Sequence, residues 1–237
     1  MIVSHARKFI FFHNPKCAGT SFRDMLKPYH DDGFTFWGVF RAPYFKNHID
    51  HTHLRLWEMQ AQFPDIFACA MAYNSVIFVR NPYERFLSAV NEHMKKFQPQ
   101  IDLSSMTPAQ RVEAVETFIR QILTVARITS DWRFIHFSPQ IWYLQLGNEF
   151  LPRHVIPMGG DDRFMREAML CLGLDELPIR HHNVSPSNLG AALTSSVLTD
   201  FVQRFYEDDF AYFKADARLA GLAELPNPPE RRDVTIA

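Results

Sequence analysis

Residues 13–22 read "HNPKCAGTSF" and bring one lysine, one glycine and two hydroxyls together: Lys16, Gly19, Thr20 and Ser21. A short apolar run, Phe9 to Phe12, precedes them, and Phe22, Met25 and Leu26 follow at helical spacing. Strand, turn and helix in that order place unpaired backbone N–H groups and the positive end of a helix dipole at a strand's end, which suits an anion. Gly19 lets the backbone approach closely, Thr20 and Ser21 add hydroxyl donors, and Lys16 adds charge. Ala18 and Cys17 complete the loop, Cys17 as a small filler or as a helix-N-terminal thiol of lowered pKa. An ordinary strand-to-helix turn with a surface lysine would carry the same letters. The triphosphatase pattern G-x-x-x-x-G-K-[ST] puts its lysine after the last glycine and uses the next hydroxyl to hold Mg²⁺. Here the lysine comes first, and no Asp-terminated apolar strand offers a metal ligand. The expectation is a phosphate site without an obligatory metal.

A second stretch, "VIFVRNPYERFLSAV" (76–90), has the same logic. Arg80 lies just past a buried strand, where ligands of α/β sheets bind. Its guanidinium offers a fork of donors to a phosphate, and Ser88, eight residues on, adds another. A strand-end arginine paired with Glu84 or Asp65 is the plainer alternative.

Together the two stretches resemble the sulfotransferases. "HNPKCAGTS" is similar to their 5′-phosphosulfate loop in its PK-x-x-G-T-S form, and "FVRNPYERFLSA" to their 3′-phosphate motif, with Arg80 and Ser88 in matching places. The resemblance is closest to the carbohydrate branch that includes the heparan-sulfate 2-O-sulfotransferases and bacterial relatives. It continues through "HFSPQIWYL" (136–144), "VIPMGGDDRFMREAMLCLGL" (155–174), "HHNVSPS" (181–187) and "FYEDDFAYF" (205–213). It implies 3′-phosphoadenosine 5′-phosphosulfate (PAPS) as donor, no required metal, and a P-loop-like α/β fold with a central, mainly parallel sheet flanked by helices. It also implies that Lys16 reaches the bridging oxygen between phosphate and sulfuryl group, and that Asn183 and Ser185 approach the cofactor.

Transfer to a hydroxyl needs a group to take its proton, and histidine titrates in the right range. "NHIDHTHLRLW" (47–57) offers His48, His51 and His53. In the branch this chain resembles, a His-x-His between the phosphate motifs carries the catalytic histidine. That implies His53 as base and His51 as the alternative base or a positioning residue. The glycine that relatives carry between these histidines is missing, so the choice between the two stays open. Trp37, Arg41 and Arg55 flank the loop and could meet an anionic or sugar acceptor, and Gln140 is a further polar candidate. The implied reaction is in-line sulfuryl transfer to a hydroxyl of a glycan, glycolipid or similar acceptor. A small-molecule or nucleotide kinase of related fold, or a non-catalytic glycan- or nucleotide-binding protein, is the rival reading.

The elements that must hold these groups follow from periodicity. Strands are expected at 8–12, 75–80 and 153–158. Helices are expected at 20–27, from Pro82 to about Phe97, at 107–125, over 161–174, and as one long helix from Ser195 to Ala215. Residues 29–56 read as loop with short elements, and about 223–237 as a loose tail. Alternating strands and helices favour a mainly parallel sheet covered on both faces, and with no linker in sight the chain reads as one domain over 1–237. Of the 237 residues 47% are apolar, enough for a full core. Twenty-five basic against 26 acidic residues give a net charge of −1, which disfavours a nucleic-acid binder. Three widely spaced cysteines form no disulfide framework, and neither a leader pattern nor a membrane-length apolar run is visible, so a cytoplasmic location is expected.

Overall fold

The computed structural model describes residues 1–33, 35–41, 48–174, 178 and 189–226. In chain order the strands are β1 (Ile2–Ser4), β2 (Phe9–Phe12), β3 (Val39–Arg41), β4 (His48–Asp50), β5 (Asn74–Val79), β6 (Gln145–Leu146), β7 (Glu149–Phe150) and β8 (His154–Pro157). The α-helices are α1 (Gly19–Leu26), α2 (Leu56–Gln62), α3 (Pro64–Ala72), α4 (Pro82–Phe97), α5 (Pro108–Thr117), α6 (Val125–Ser130), α7 (Arg163–Cys171), α8 (Ser196–Phe205) and α9 (Glu207–Ala215). The central sheet has the order β1-β2-β5-β8. β2, β5 and β8 run parallel, and β1 joins β2 antiparallel at the edge.

Strand alternation splits the core in two. Phe9, Phe11, Val76, Phe78 and Ile156 face α1 and α7 through Phe22, Met25, Leu26, Phe164 and Met165. Ile10, Phe12, Ile77, Val79 and Val155 face the other way, onto Leu56, Met59, Ala70 and Phe213 of α2, α3 and α9. A sheet buried on both faces explains why these strands read as unbroken apolar runs. A third cluster joins α4, α5 and α8 around Phe86, Phe118, Phe137 and Leu198.

The mainly parallel sheet flanked by helices agrees with the sequence reading, and α4 ends where periodicity put it. Asn81 caps α4 by accepting from the N–H groups of Tyr83 (3.0 Å) and Glu84 (3.4 Å), with Pro82 in the first turn. The structure adds β1, α2, α3, β6 and β7 to the expected elements and breaks two of the expected helices. The helix expected over 107–125 stops at Thr117 and passes through a π-helical turn, Phe118–Ile122, before Thr124 caps α6. The helix expected from Ser195 to Ala215 breaks at Tyr206, whose φ of −107° and ψ of 29° leave the helical region and whose buried hydroxyl donates to the Phe137 carbonyl at 2.9 Å. That break starts α9 at Glu207 and places three acidic residues in its first turn, where the helix dipole favours them.

Candidate active site

The loop between β2 and α1 and the loop between β5 and α4 leave the carboxyl ends of adjacent parallel strands, with Phe12 paired to Ile77. In the first loop Lys16 and Ala18 adopt left-handed backbone, at φ 66° and 57°. Non-glycine residues rarely do so, and turns of this kind gather backbone N–H groups into an anion-binding concavity. Ala18 is the N-cap of α1, and no side chain caps that helix. At its first position, a Cβ on Gly19 would come within 2.1 Å of His13 Cδ2. Only glycine fits between the loop backbone and that ring. Thr20 is exposed, Ser21 is buried, and Cys17 is fully buried with burial pushing its thiol up to about 11. Cys17 is therefore a filler beneath the loop and not an activated thiol.

A buried amide braces the two loops. Gln140 Oε1 accepts from Asn14 Nδ2 (3.0 Å), the Arg80 backbone N–H (2.9 Å) and Cys17 Sγ (3.6 Å), while its Nε2 donates to the Arg80 carbonyl (2.7 Å). The backbone N–H groups of Gln140 and Ile141 donate to the Asp209 carboxylate at 3.0 and 2.8 Å. Arg85, buried under the loop, donates from Nε to the Pro15 carbonyl at 3.0 Å. Gln140, expected as a pocket contact, is instead wholly buried and positions the loop.

Arg80 stands at the rim. Its Nε donates to Glu84 (3.1 Å) and its Nη1 to the Lys16 carbonyl (3.4 Å). Ser88 lies two turns along α4, half-buried, with no side-chain hydrogen bond to any described residue. Lys16 reaches over the same helix to a hydrogen-bonded ion pair with Glu92, which also binds Lys96.

The histidines divide. His53 sits in the 3-10 turn His51–His53, which Asp50 caps by accepting from Thr52 N at 2.9 Å. Its ring lies 4.2 Å from that of His13 and 5.2 Å, edge-on, from that of His136. His53 Nδ1 is 2.9 Å from the His13 carbonyl oxygen. A carbonyl only accepts, so Nδ1 carries the proton and Nε2 keeps its lone pair. Burial holds His53 down at about 4 against the opposing pull of Asp50, and burial followed by the neighbouring His53 holds His13 and His136 well below the ordinary imidazole value. All three are neutral at pH 7. His51 turns away: its Nδ1 is 3.0 Å from the Thr35 carbonyl, and its ring packs on Phe40 and Phe63 at 4.6 and 5.0 Å.

Three other sequence candidates are placed as follows. Arg55 is buried and donates to the carbonyls of Thr129 and Ile128 at 3.1 and 3.0 Å, so it ties α2 to α6 instead of facing an acceptor. Trp37 is covered by the Arg23 guanidinium at 4.6 Å, and Arg41 is exposed on β3. Asn183 and Ser185 lie outside the described residues. Sequence reasoning did not single out His13, Glu92 and His136. His13 carried a signal, since it opens the phosphate loop itself. Glu92 carried one as well, one turn beyond Ser88 on the same face of α4.

Two loops, one with a lysine and one with an arginine, thus meet at the carboxyl ends of adjacent parallel strands of an α/β protein. The chain belongs to the sulfotransferase family, whose match covers residues 1–215, and is thus a sulfuryl-group transferase. No curated protein and no solved structure matches it. Among the described residues no group of His, Cys, Asp and Glu is arranged to hold a metal ion, and no helix is long and apolar enough to cross a membrane.

Proposed function

We propose that the protein moves a sulfuryl group from PAPS to a hydroxyl of a carbohydrate or similar acceptor, with His53 as the base. The observation that carries this reading is the His53 Nδ1 contact with the His13 carbonyl, which belongs to the phosphate loop. It ties a neutral imidazole, with its Nε2 lone pair unengaged by any described residue, to the segment that would hold the donor. The loop fits a phosphate: its helix is uncapped and Gly19 leaves room for nothing but backbone.

When bound, PAPS would supply an activated sulfuryl group on a phosphate leaving group. Lys16, Cys17, Ala18, Gly19, Thr20 and Ser21 would hold its 5′ end, mostly through backbone N–H groups, and Arg80 and Ser88 its 3′-phosphate. Asn183 and Ser185 are carried with them on the resemblance alone. The Lys16 ammonium would offset charge building on the leaving phosphate. His53 Nε2 would take the proton of the attacking hydroxyl, and His51 is the second choice for that task. We take residues 1–237 as one domain working in the cytoplasm, a setting that suits its three free cysteines.

A transfer screen tests the proposal. The protein is incubated with sulfur-labelled PAPS and panels of glycans, glycolipids and small alcohols, and products are identified by mass. Label on a hydroxyl, independent of added Mg²⁺, is expected. Phosphoryl transfer from Mg-ATP without any sulfuryl transfer would favour the kinase reading and overturn this one.

A further inference from the structure

Glu84, Ser88, Glu92 and Lys96 are spaced four apart and line one side of α4, and Arg80 lies four residues before Glu84, just ahead of the helix. Both cations that face the phosphate loops are already engaged along that side. Arg80 Nε holds Glu84 at 3.1 Å, and Lys16 holds Glu92 Oε2. Ser88 lies between the two pairs.

The two pairs are not equivalent. Glu84 is about half exposed, whereas the Glu92 side chain retains only a quarter of its surface. Glu92 is also doubly served: Lys96 binds its Oε1, and His136 Nδ1 lies 3.9 Å from the same oxygen. Burial pushes the Glu92 carboxyl up, but the Lys16 ammonium and the hydrogen bonds from Lys16 and Lys96 outweigh it and hold it below the ordinary carboxylate range, so it stays ionised. A buried carboxylate stripped of its partner is costly. Glu92 avoids that cost when Lys16 leaves, because Lys96 remains on it. The arrangement lets Lys16 exchange between two anions at small expense.

We propose that Glu92 is a latch for Lys16: it holds the ammonium away from the loop in the donor-free protein, yields it to the donor's 5′-phosphate, and reclaims it as product leaves. Glu92 is a positioning residue in this account, acting through Lys16. The inference rests on the donor reading above.

The test measures adenosine 3′,5′-bisphosphate by calorimetry and its release by displacement, in wild type, Glu92→Gln, Lys16→Met and the double variant. Glu92→Gln keeps the shape and removes the competing charge. It should tighten the bisphosphate about tenfold or more and slow its release correspondingly. In the Lys16→Met background the same substitution should change affinity less than about twofold, since additive behaviour marks independent sites and coupling marks a shared interaction. Should Glu92→Gln not fold, Glu92→Asp should tighten binding in the same direction and to a smaller extent. Equal affinity in wild type and Glu92→Gln, or tightening undiminished without Lys16, overturns the latch alone. Failure of wild type and variants alike to bind the bisphosphate overturns the donor reading and the latch with it.

Discussion

The imidazole of His13 fills the space that a side chain at residue 19 would need: a Cβ there would stand 2.1 Å from its Cδ2 and 2.4 Å from its Nε2. The ring cannot easily yield. It is buried, stacked 6.0 Å from Phe11 and tilted against His53 at 4.2 Å. Gly19→Ala should therefore cost about 1–3 kcal/mol by overpacking and weaken anion binding by displacing the loop. Adding His13→Ala should recover most of the lost stability in thermal melts. Full stability in Gly19→Ala alone would show that the ring is free to move.

A substitution at Arg80 should separate the two proposed phosphate sites. Arg80→Ala should weaken adenosine 3′,5′-bisphosphate by on the order of 2 kcal/mol or more, the scale for removing one side of a desolvated charge contact. Adenosine 5′-monophosphate should lose little. Calorimetry on both nucleotides decides it, and equal losses would place Arg80 at the 5′ end.

Loss of the base should separate chemistry from binding. His53→Ala should cut turnover by about a hundredfold or more while the bisphosphate binds as before. His51→Ala, whose ring is held between Phe40 and Phe63, should cost less. Because His53 sits below the ordinary imidazole range in the free protein, the ascending limb of kcat/KM, which reports the free enzyme, should lie on the acid side of pH 6.5. A limb that persists unchanged in His53→Ala would assign the proton to another group.

The three neutral histidines also make stability depend on pH. Their folded-state pKa values lie below the unfolded value of 6.5, that of His53 at about 4, so as pH falls below 6.5 the unfolded chain binds protons that the fold refuses. Stability should be complete above pH 6.5 and fall as the solution is acidified below it. The slope should approach about 1.4 kcal/mol per pH unit for each imidazole kept neutral. Calorimetric melts from pH 7.5 to 4.5 should show this fall, and His53→Gln should lower the slope by about one proton's worth. A melting temperature flat across the window would mean these imidazoles accept protons while folded.

What could be read without coordinates was local. The loop from His13 to Ser21 and the turn at Arg80 announce themselves because backbone geometry, capping and charge are settled within ten residues. β2, β5 and α4 follow from runs whose neighbours do not contradict them. What escaped depends on distant partners. Apolar spacing runs on through Tyr206, and nothing nearby reveals that its hydroxyl is bound to Phe137 or that α9 must turn to present Asp209. Arg55 looks like a surface charge until α6 is packed against it. Glu92 and His136, 44 positions apart, become one site only when α4 meets the 3-10 segment Trp132–Phe137.

The Gln140 brace has a consequence for how the protein is made. The Gln140 amide joins Asn14 to the Arg80 backbone while Asp209 holds the Gln140 backbone N–H, so the two loops are stitched together through chain segments separated by 126 and 69 residues. Contacts of such range close late. During synthesis the phosphate loop leaves the ribosome early, but its shape is guaranteed only after α9 has emerged and docked. If the loop holds the proposed nucleotide, an unfinished chain would be blind to it, and the nucleotide could reward only a completed fold.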